Sequence, residues 1–123
     1  MSIVNLRTVI KSFHYAFRGF RYAYKTEQSF RIQVFIGILV VVLMIFFKVT
    51  VLESIVLVLV MTMVLVLELI NTVFEQLSDI LKPRVHSYVE VIKDVIAAAV
   101  LVASIASLAV GLIIFLPYFL GNK

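Results

Sequence analysis

Three long stretches without formal charge limit what this chain can fold into. They run from Ile32 to Phe47, from Ser54 to Leu67 and from Val95 to Asn122. A helix needs about 20 apolar residues to cross the hydrocarbon core of a bilayer. The third stretch meets that length and the first falls slightly short of it. The second meets it only if Glu68 lies at the membrane edge, so the position of this carboxylate matters for the whole interpretation.

The composition excludes a soluble enzyme domain. Of the 123 residues, 63% are hydrophobic and 15% are charged, with a mean hydropathy of +1.16. Soluble chains contain roughly 45–50% apolar residues, and a chain of this length has too small an interior to hide the excess. We therefore expect one all-α integral-membrane domain over residues 1–123, with spans at about 30–49, 52–80 and 92–116.

The sequence lacks the residues that form two common kinds of site. The chain has no cysteine, which excludes a disulfide framework and a thiolate metal site. Its glycines at 19, 37, 111 and 121 form neither GxxxxGK nor GxGxxG. A nucleotide bound by this protein must therefore be held without a glycine-rich phosphate loop.

The distribution of lysine and arginine predicts the orientation in the cell membrane. Positive residues concentrate before the first span and around the second link, whereas Lys48 is alone in the first link and Lys123 lies in the tail. Because cytoplasmic loops carry the excess of positive charge, we expect a cytoplasmic N-terminus and an external C-terminus. The net charge of +4 follows from this asymmetry, so we expect no nucleic-acid partner.

The segment before the first span has the pattern of an amphipathic helix over about residues 3–25. Apolar residues recur at alternating steps of three and four on one stripe: Ile3, Leu6, Ile10, Phe13, Phe17, Phe20 and Tyr24. Basic residues flank that stripe, which is typical of a helix in the headgroup layer beside anionic lipid. Such a helix can serve as a plain membrane-surface anchor.

Carboxylates gather near the predicted cytoplasmic ends of the spans. Glu68, Asn71, Glu75 and Asp79 are spaced three, four and four, which places them on one face of the second helix. Like charges on one face repel, so we expect a cation or a basic partner to compensate the negative charges of this face. An ionisable residue at membrane depth is a candidate functional residue. Buried ion pairs that lock two helices, or an ion or proton path, are alternative interpretations.

Three further charged residues lie near the same membrane boundary. Lys93 and Asp94 open the third span, and Glu27 directly precedes the first. Mg²⁺ binds one or two carboxylates together with phosphates, and phosphoryl transfer needs a metal, a positive group and a base. A base at the hydrocarbon edge suits a hydroxyl group carried by a lipid.

Small residues recur every four positions on the third span, at Ala99, Ala103, Ser107 and Gly111. Such faces allow membrane helices to approach closely. The pattern predicts a homo-oligomer with shared sites or, alternatively, a contact between the first and third spans of one chain.

Residues 68–75, Glu-Leu-Ile-Asn-Thr-Val-Phe-Glu, with Asp79 four further, resemble the signature E-x-x-N-[ST]-A-I-E-x-x-x-D of the prokaryotic diacylglycerol kinase/undecaprenol kinase family. Residues 93–101 resemble its second block, K-D-x-x-A-[AG]-A-V-L, and Glu27 resembles the acidic residue before its first span. The resemblance covers about residues 8–118, and the ending before Pro117 is similar to the Gram-positive branch. The pair Val73-Phe74 departs from the usual Ala-Ile.

This resemblance implies a homotrimer whose subunits each have three transmembrane helices and a surface helix. It implies transfer of the γ-phosphoryl group of Mg-ATP to a lipid hydroxyl, at sites between subunits on the cytoplasmic face. By motif position, Glu68 is the expected general base, and Glu27 and Glu75 are the expected Mg²⁺ ligands. The expected supporting residues are Asn71 and Asp79, and the expected ATP contacts are Tyr15, Glu27, Glu75, His86, Lys93 and Asp94.

The sequence predicts the lipid acceptor less specifically than it predicts the reaction. The ending favours undecaprenol, with diacylglycerol as the alternative acceptor. A non-enzymatic helical bundle or a small cation carrier is the alternative from another functional class.

Overall fold

The chain folds into four α-helices in the computed structural model, which describes residues 3–81 and 86–123. They are α1 (Leu6–Thr26), α2 (Gln28–Phe47), α3 (Val51–Leu81) and α4 (His86–Phe119). Helices α2, α3 and α4 are each long and apolar enough to cross a membrane. No strand occurs in the two described ranges. The predicted all-α class and the three long apolar helices are confirmed.

Helix α4 begins before its predicted span, whereas α2 and α3 lie within about two residues of theirs. The predicted link covered about residues 81–91, but α4 begins at His86 and α3 continues to Leu81. Val89 is only 2% exposed, so packing stabilises the first turn of α4 despite its polar neighbours. Helices persist past the apolar stretch because backbone hydrogen bonding does not require apolar side chains. A search for uncharged stretches therefore underestimates helix length.

The start of α3 packs against the ends of α2 and α4, so α3 runs antiparallel to both. The contact between α3 and α4 is the most extensive between helices in the described ranges. The apolar core lies near the ends of α2 and α4, where Leu57 packs with Ile114 and Phe115. The rings of Phe47 and Tyr118 have centroids 5.4 Å apart at the same place. We call this the aromatic end of the bundle. The opposite end, which contains Glu27, Glu68 and Glu75, is the acidic end.

A polar cluster ties the first turn of α3 to the last residues of the chain. The Thr50 N–H donates to Glu53 Oε1 at 3.0 Å, and the Glu53 N–H donates to Thr50 Oγ1 at 3.2 Å. This reciprocal pair is a capping box. Tyr118 Oη donates to Glu53 Oε1 at 2.5 Å, and Lys123 Nζ donates to Glu53 Oε2 at 2.5 Å. Gly121, at φ 77°, ends α4 and turns the chain back toward Glu53.

Two of the four small residues of α4 face neighbouring helices of the same subunit. Ala103 is 4% exposed, and it lines a cleft with Met63 and Leu67 of α3. Ser107 lines a different cleft together with Gly37 of α2. By contrast, Ala99 is exposed, and a Cβ placed at Gly111 would meet no atom within 4 Å. The homo-oligomer stays a prediction, as does the location of α1 at the membrane surface.

Candidate functional site

A single extended residue, Glu27, forms the elbow between α1 and α2, with φ −112° and ψ 111°. Its N–H donates to Ala23 O at 2.8 Å, and its carbonyl accepts from the Arg31 N–H at 3.2 Å. Its side chain makes no capping bond to α2. Ala23 and Phe30 are buried on either side of the elbow. The elbow is thus packed in place, with the Glu27 carboxyl group free to meet α3.

That carboxyl group meets Glu75. The two carboxyl groups share a hydrogen bond, and Asn71 Nδ2 donates to Glu75 Oε1 at 3.3 Å. Asn71 and Glu75 lie one helical turn apart on α3 and therefore share a face. The structure thus brings together, within one subunit, an acid from before the first span and the amide and acid of the second span.

The electrostatic cost of this arrangement appears at Glu27. Burial is the largest cause that raises the pKa of Glu27 from 4.5 to about 7. The hydrogen bond with Glu75 and the negative charges of Glu75 and Glu68 also raise this pKa, whereas Arg31 lowers it. Near neutral pH the pair can hold a proton between two carboxylates. A divalent cation is the natural replacement for that proton.

Glu68 lies next to this pair, in a pocket among three helices. It is only 4% exposed. The pocket has a volume of about 280 Å³, and its polar lining comes from Ser29 of α2, Glu68 and Asn71 of α3, and Ser104 of α4. A carboxylate beside small hydroxyl groups, at the edge of an apolar bundle, is suited to receive a hydroxyl group from a mostly apolar molecule.

A second cleft lies nearer the aromatic end. It has a volume of about 450 Å³ and is lined by the same three helices. Its lining residues Gln33, Leu65 and Ser107 lie about one helical turn from Ser29, Glu68 and Ser104 of the pocket, in the direction of the aromatic end. The rest of its lining is mainly apolar. The polar pocket and the apolar cleft therefore follow one another along the same three helices, with Glu68 in the pocket nearer the acidic end.

Three other predicted site residues are exposed and make no bond to the acidic cluster in the described ranges. Tyr15 is 60% exposed on α1. Asp79 is exposed one turn beyond Glu75, and Asp94 is exposed on α4. Within the described ranges, no hydrogen bond or ion pair joins any of them to Glu27, Glu68 or Glu75.

Lys93 and His86 are the two predicted basic groups of α4. Lys93 is partly buried and lies four residues before Ala97, which lines the Glu68 pocket. It therefore shares the pocket-facing side of α4, one turn toward the acidic end. The side chain of His86 lies outside the described part of the structure.

The donor set fits a cation that arrives with phosphates. The described residues contain no group of three or more His, Asp or Glu side chains arranged to hold a metal. Glu27 and Glu75 nevertheless present two adjacent carboxyl groups. Mg²⁺ in nucleotide sites takes one or two carboxylates and completes its shell with phosphate oxygens and water. Two protein ligands are sufficient for that kind of site.

Sequence reasoning missed three side chains near the site. Ser29 and Ser104 line the pocket, and Arg31 bonds across the elbow. Ser104 follows Ala97 by seven residues, which is two helical turns, so both residues lie on one face of α4. This spacing could have indicated Ser104 from the sequence. No local pattern reveals which carbonyl groups an arginine reaches.

Three membrane-length helices with an acidic cluster at one end define a small integral-membrane protein whose site lies at the edge of its apolar part. Residues 14–115 match the family model described as prokaryotic diacylglycerol kinase. The chain belongs to this family, which is a family of lipid kinases. The family resemblance inferred from the two sequence blocks is thereby confirmed.

Two named relatives show how this chain compares with individual proteins. It is 35% identical over 114 residues to the diacylglycerol kinase of Synechocystis sp., an alignment that covers 92% of this chain and 65% of the relative. It is 30% identical over 112 residues to the undecaprenol kinase of Bacillus subtilis, which covers 91% of each. The chain thus spans less than two thirds of the cyanobacterial relative. No solved structure matches the chain.

Proposed function

We propose that this protein transfers the γ-phosphoryl group of Mg-ATP to the hydroxyl group of a membrane lipid alcohol. The observation that carries the proposal is the position of Glu68. This buried carboxylate lines a polar pocket about one helical turn from an apolar cleft, and its negative charge acts on Glu27 of the Glu27–Glu75 pair. Phosphoryl transfer to a lipid hydroxyl needs a base near that hydroxyl and ligands for the metal that holds the phosphates.

In the proposed reaction, Glu68 accepts the proton of the lipid hydroxyl as general base. The lipid oxygen forms a bond to the γ-phosphorus while the bond between that phosphorus and the bridging oxygen of ADP breaks. The products are the lipid phosphate and ADP. The burial of Glu68 limits its contact with bulk water, which favours transfer to the lipid over hydrolysis.

The other residues act on the nucleotide. Glu27 and Glu75 would hold Mg²⁺, which supplies charge neutralisation on the phosphates. Asn71 orients Glu75 through its hydrogen bond, and Lys93 compensates phosphate charge. The remaining proposed contacts are Asp94, Tyr15 and His86 on ATP, with Asp79 supporting the carboxylate cluster.

Undecaprenol is the proposed acceptor, supported by the Gram-positive-like ending and by the undecaprenol kinase relative that matches 91% of both chains. Diacylglycerol is the second candidate, supported by the 35% identical relative that is named a diacylglycerol kinase. Both acceptors are alcohols with long apolar chains, and the cleft below Glu68 suits such a chain.

We further propose a homotrimer in the cell membrane with the acidic end in the cytoplasm. The positive residues of α1 and of the link between α3 and α4 support this orientation. ATP is then available on the side where the carboxylate cluster lies. The outward apolar faces of α2 and α3 supply the surface for lipid and for neighbouring subunits.

The test is a comparison of acceptors with the purified full-length chain. The protein is supplied with γ-labelled ATP, Mg²⁺ and either undecaprenol or diacylglycerol, in detergent and in bilayers. Labelled undecaprenyl phosphate is the expected main product. A larger yield of labelled phosphatidic acid would establish the second candidate. If neither lipid is labelled in either medium, the non-enzymatic bundle or cation carrier replaces the kinase, and vesicle ion-flux measurements become decisive.

A further inference from the structure

Arg31, in the first turn of α2, reaches back across the elbow to α1. Its Nη1 donates to Tyr24 O at 2.8 Å and to Lys25 O at 3.1 Å. These carbonyls belong to the last turn of α1, where a helix leaves its final carbonyl groups without intrahelical partners. One guanidinium group therefore satisfies two acceptors at the end of the preceding helix.

Both charge and shape favour this contact. The C-terminal end of a helix has a partial negative charge, and a cation placed there is stabilising. The guanidinium group presents several N–H donors in a rigid plane, whereas an ammonium group is a point charge on a flexible stem. A lysine at this position would preserve the charge but would hold the two carbonyls less rigidly.

The contact restricts the angle between α1 and α2. Glu27 is the only residue between these helices, so any change of that angle moves its side chain. Ala23 and Phe30 pack the elbow, and Arg31 links the two helix ends directly. The direction of the Glu27 carboxyl group toward α3 thus depends on the hydrogen bonds that Arg31, four residues further along the chain, makes to α1.

We propose that Arg31 is a positioning residue that holds the Glu27 carboxyl group against Glu75 and thereby sets the affinity of the site for the metal–nucleotide complex. This inference rests on the proposed function for its kinetic meaning. Arg31 lines neither the Glu68 pocket nor the deeper cleft. Its effect is therefore confined to the nucleotide side and leaves the acceptor side unchanged.

The kinetic test uses Arg31→Gln, Arg31→Lys and the control Arg21→Gln. Arg21 is an exposed residue of α1, so its substitution removes the same charge without breaking the elbow contact. For Arg31→Gln we expect the KM for Mg-ATP to rise about 10–100-fold, the usual cost of losing a residue that orients a metal ligand. The KM for the lipid should stay within about twofold, with Arg31→Lys intermediate and Arg21→Gln unchanged. Equal increases in both KM values would mean that Arg31 serves only the fold, and the inference would fail.

A second measurement does not depend on activity. Because the chain has no cysteine, the double variant Glu27→Cys/Glu75→Cys presents a unique pair of thiols to a short bifunctional thiol reagent. We expect rapid cross-linking within one chain when Arg31 is present, and about tenfold slower cross-linking with Arg31→Gln, since the elbow no longer holds its angle. Equal rates in the two backgrounds overturn the inference. If the parent protein phosphorylates no lipid, the proposed function fails, but this cross-linking result still decides the role of Arg31.

Discussion

The carboxyl group of Glu27, at the elbow between α1 and α2, shares a hydrogen bond with the carboxyl group of Glu75 on α3. Two carboxyl groups can bond to each other only when one of them retains a proton, because an ionised carboxylate is purely an acceptor. The pair therefore links proton binding to the site where the proposed metal–nucleotide complex is held. Its pH dependence is the first property to test.

Without divalent cation, raising the pH from about 5.5 to about 8 should lower the melting temperature of the folded protein. The pKa of Glu27 is about 7 in the folded chain, against an ordinary value of 4.5. The folded chain thus binds a proton more tightly than the unfolded chain, and this stabilisation is lost as the pH rises from 4.5 through 7. Added Mg²⁺ should restore the melting temperature at the higher pH and have little effect at the lower one. In Glu27→Gln the dependence should flatten, and an equal Mg²⁺ effect at both pH values would contradict the assignment.

Glu68→Gln should reduce kcat by about 10²–10⁴-fold, the usual contribution of a general base. The substituted side chain keeps the shape of glutamate but cannot accept the lipid proton. Turnover, ATP binding and oligomeric state should be measured on the same preparation, with Glu53→Gln as a control for loss of one negative charge on the same helix, at the end opposite to the site. Dispersal of the assembly by Glu68→Gln would show that Glu68 is structural.

Gly37→Leu should raise the KM for the lipid acceptor about tenfold and leave the KM for Mg-ATP unchanged. Gly37 lines the deeper cleft, and a Cβ placed there would lie 3.9 Å from Met61 Sδ, which is ordinary contact. Gly37→Ala is therefore the tolerated control. A leucine side chain would occupy space that the acceptor chain needs in the cleft, and a tenfold rise in KM corresponds to about 1.4 kcal/mol of lost binding free energy. A change in the KM for ATP instead would show that the cleft is not the acceptor route.

Tyr118→Phe should lower the melting temperature without changing either KM. The substitution removes the hydrogen bond from Tyr118 Oη to Glu53, which joins the start of α3 to the end of α4 at the aromatic end. The site lies at the opposite end of the bundle, so its geometry should persist. Tyr88→Phe is the matched control, because Tyr88 is 76% exposed. An unchanged melting temperature in Tyr118→Phe would show that the Tyr118–Glu53 bond is not needed for stability.

Much of this protein could be predicted from its sequence alone. Three long uncharged stretches, one of which exceeds the length that a bilayer requires, predicted the three long helices. The steps of three and four placed Glu68, Asn71 and Glu75 on one face of α3. The two motif blocks identified the family. These features are local, since the helical repeat alone determines which residues share a face.

The relations between helices were decided only by the tertiary structure. Helical periodicity says where a side chain lies around its own axis, but it leaves open the angle and rotation of one helix against another. Packing at Ala23, Phe30 and Leu57 settles those quantities. As a result, only the folded chain shows that Glu27 faces Glu75, that Arg31 spans the elbow, and that Glu53 bonds to Tyr118, because each of these contacts joins separate helices.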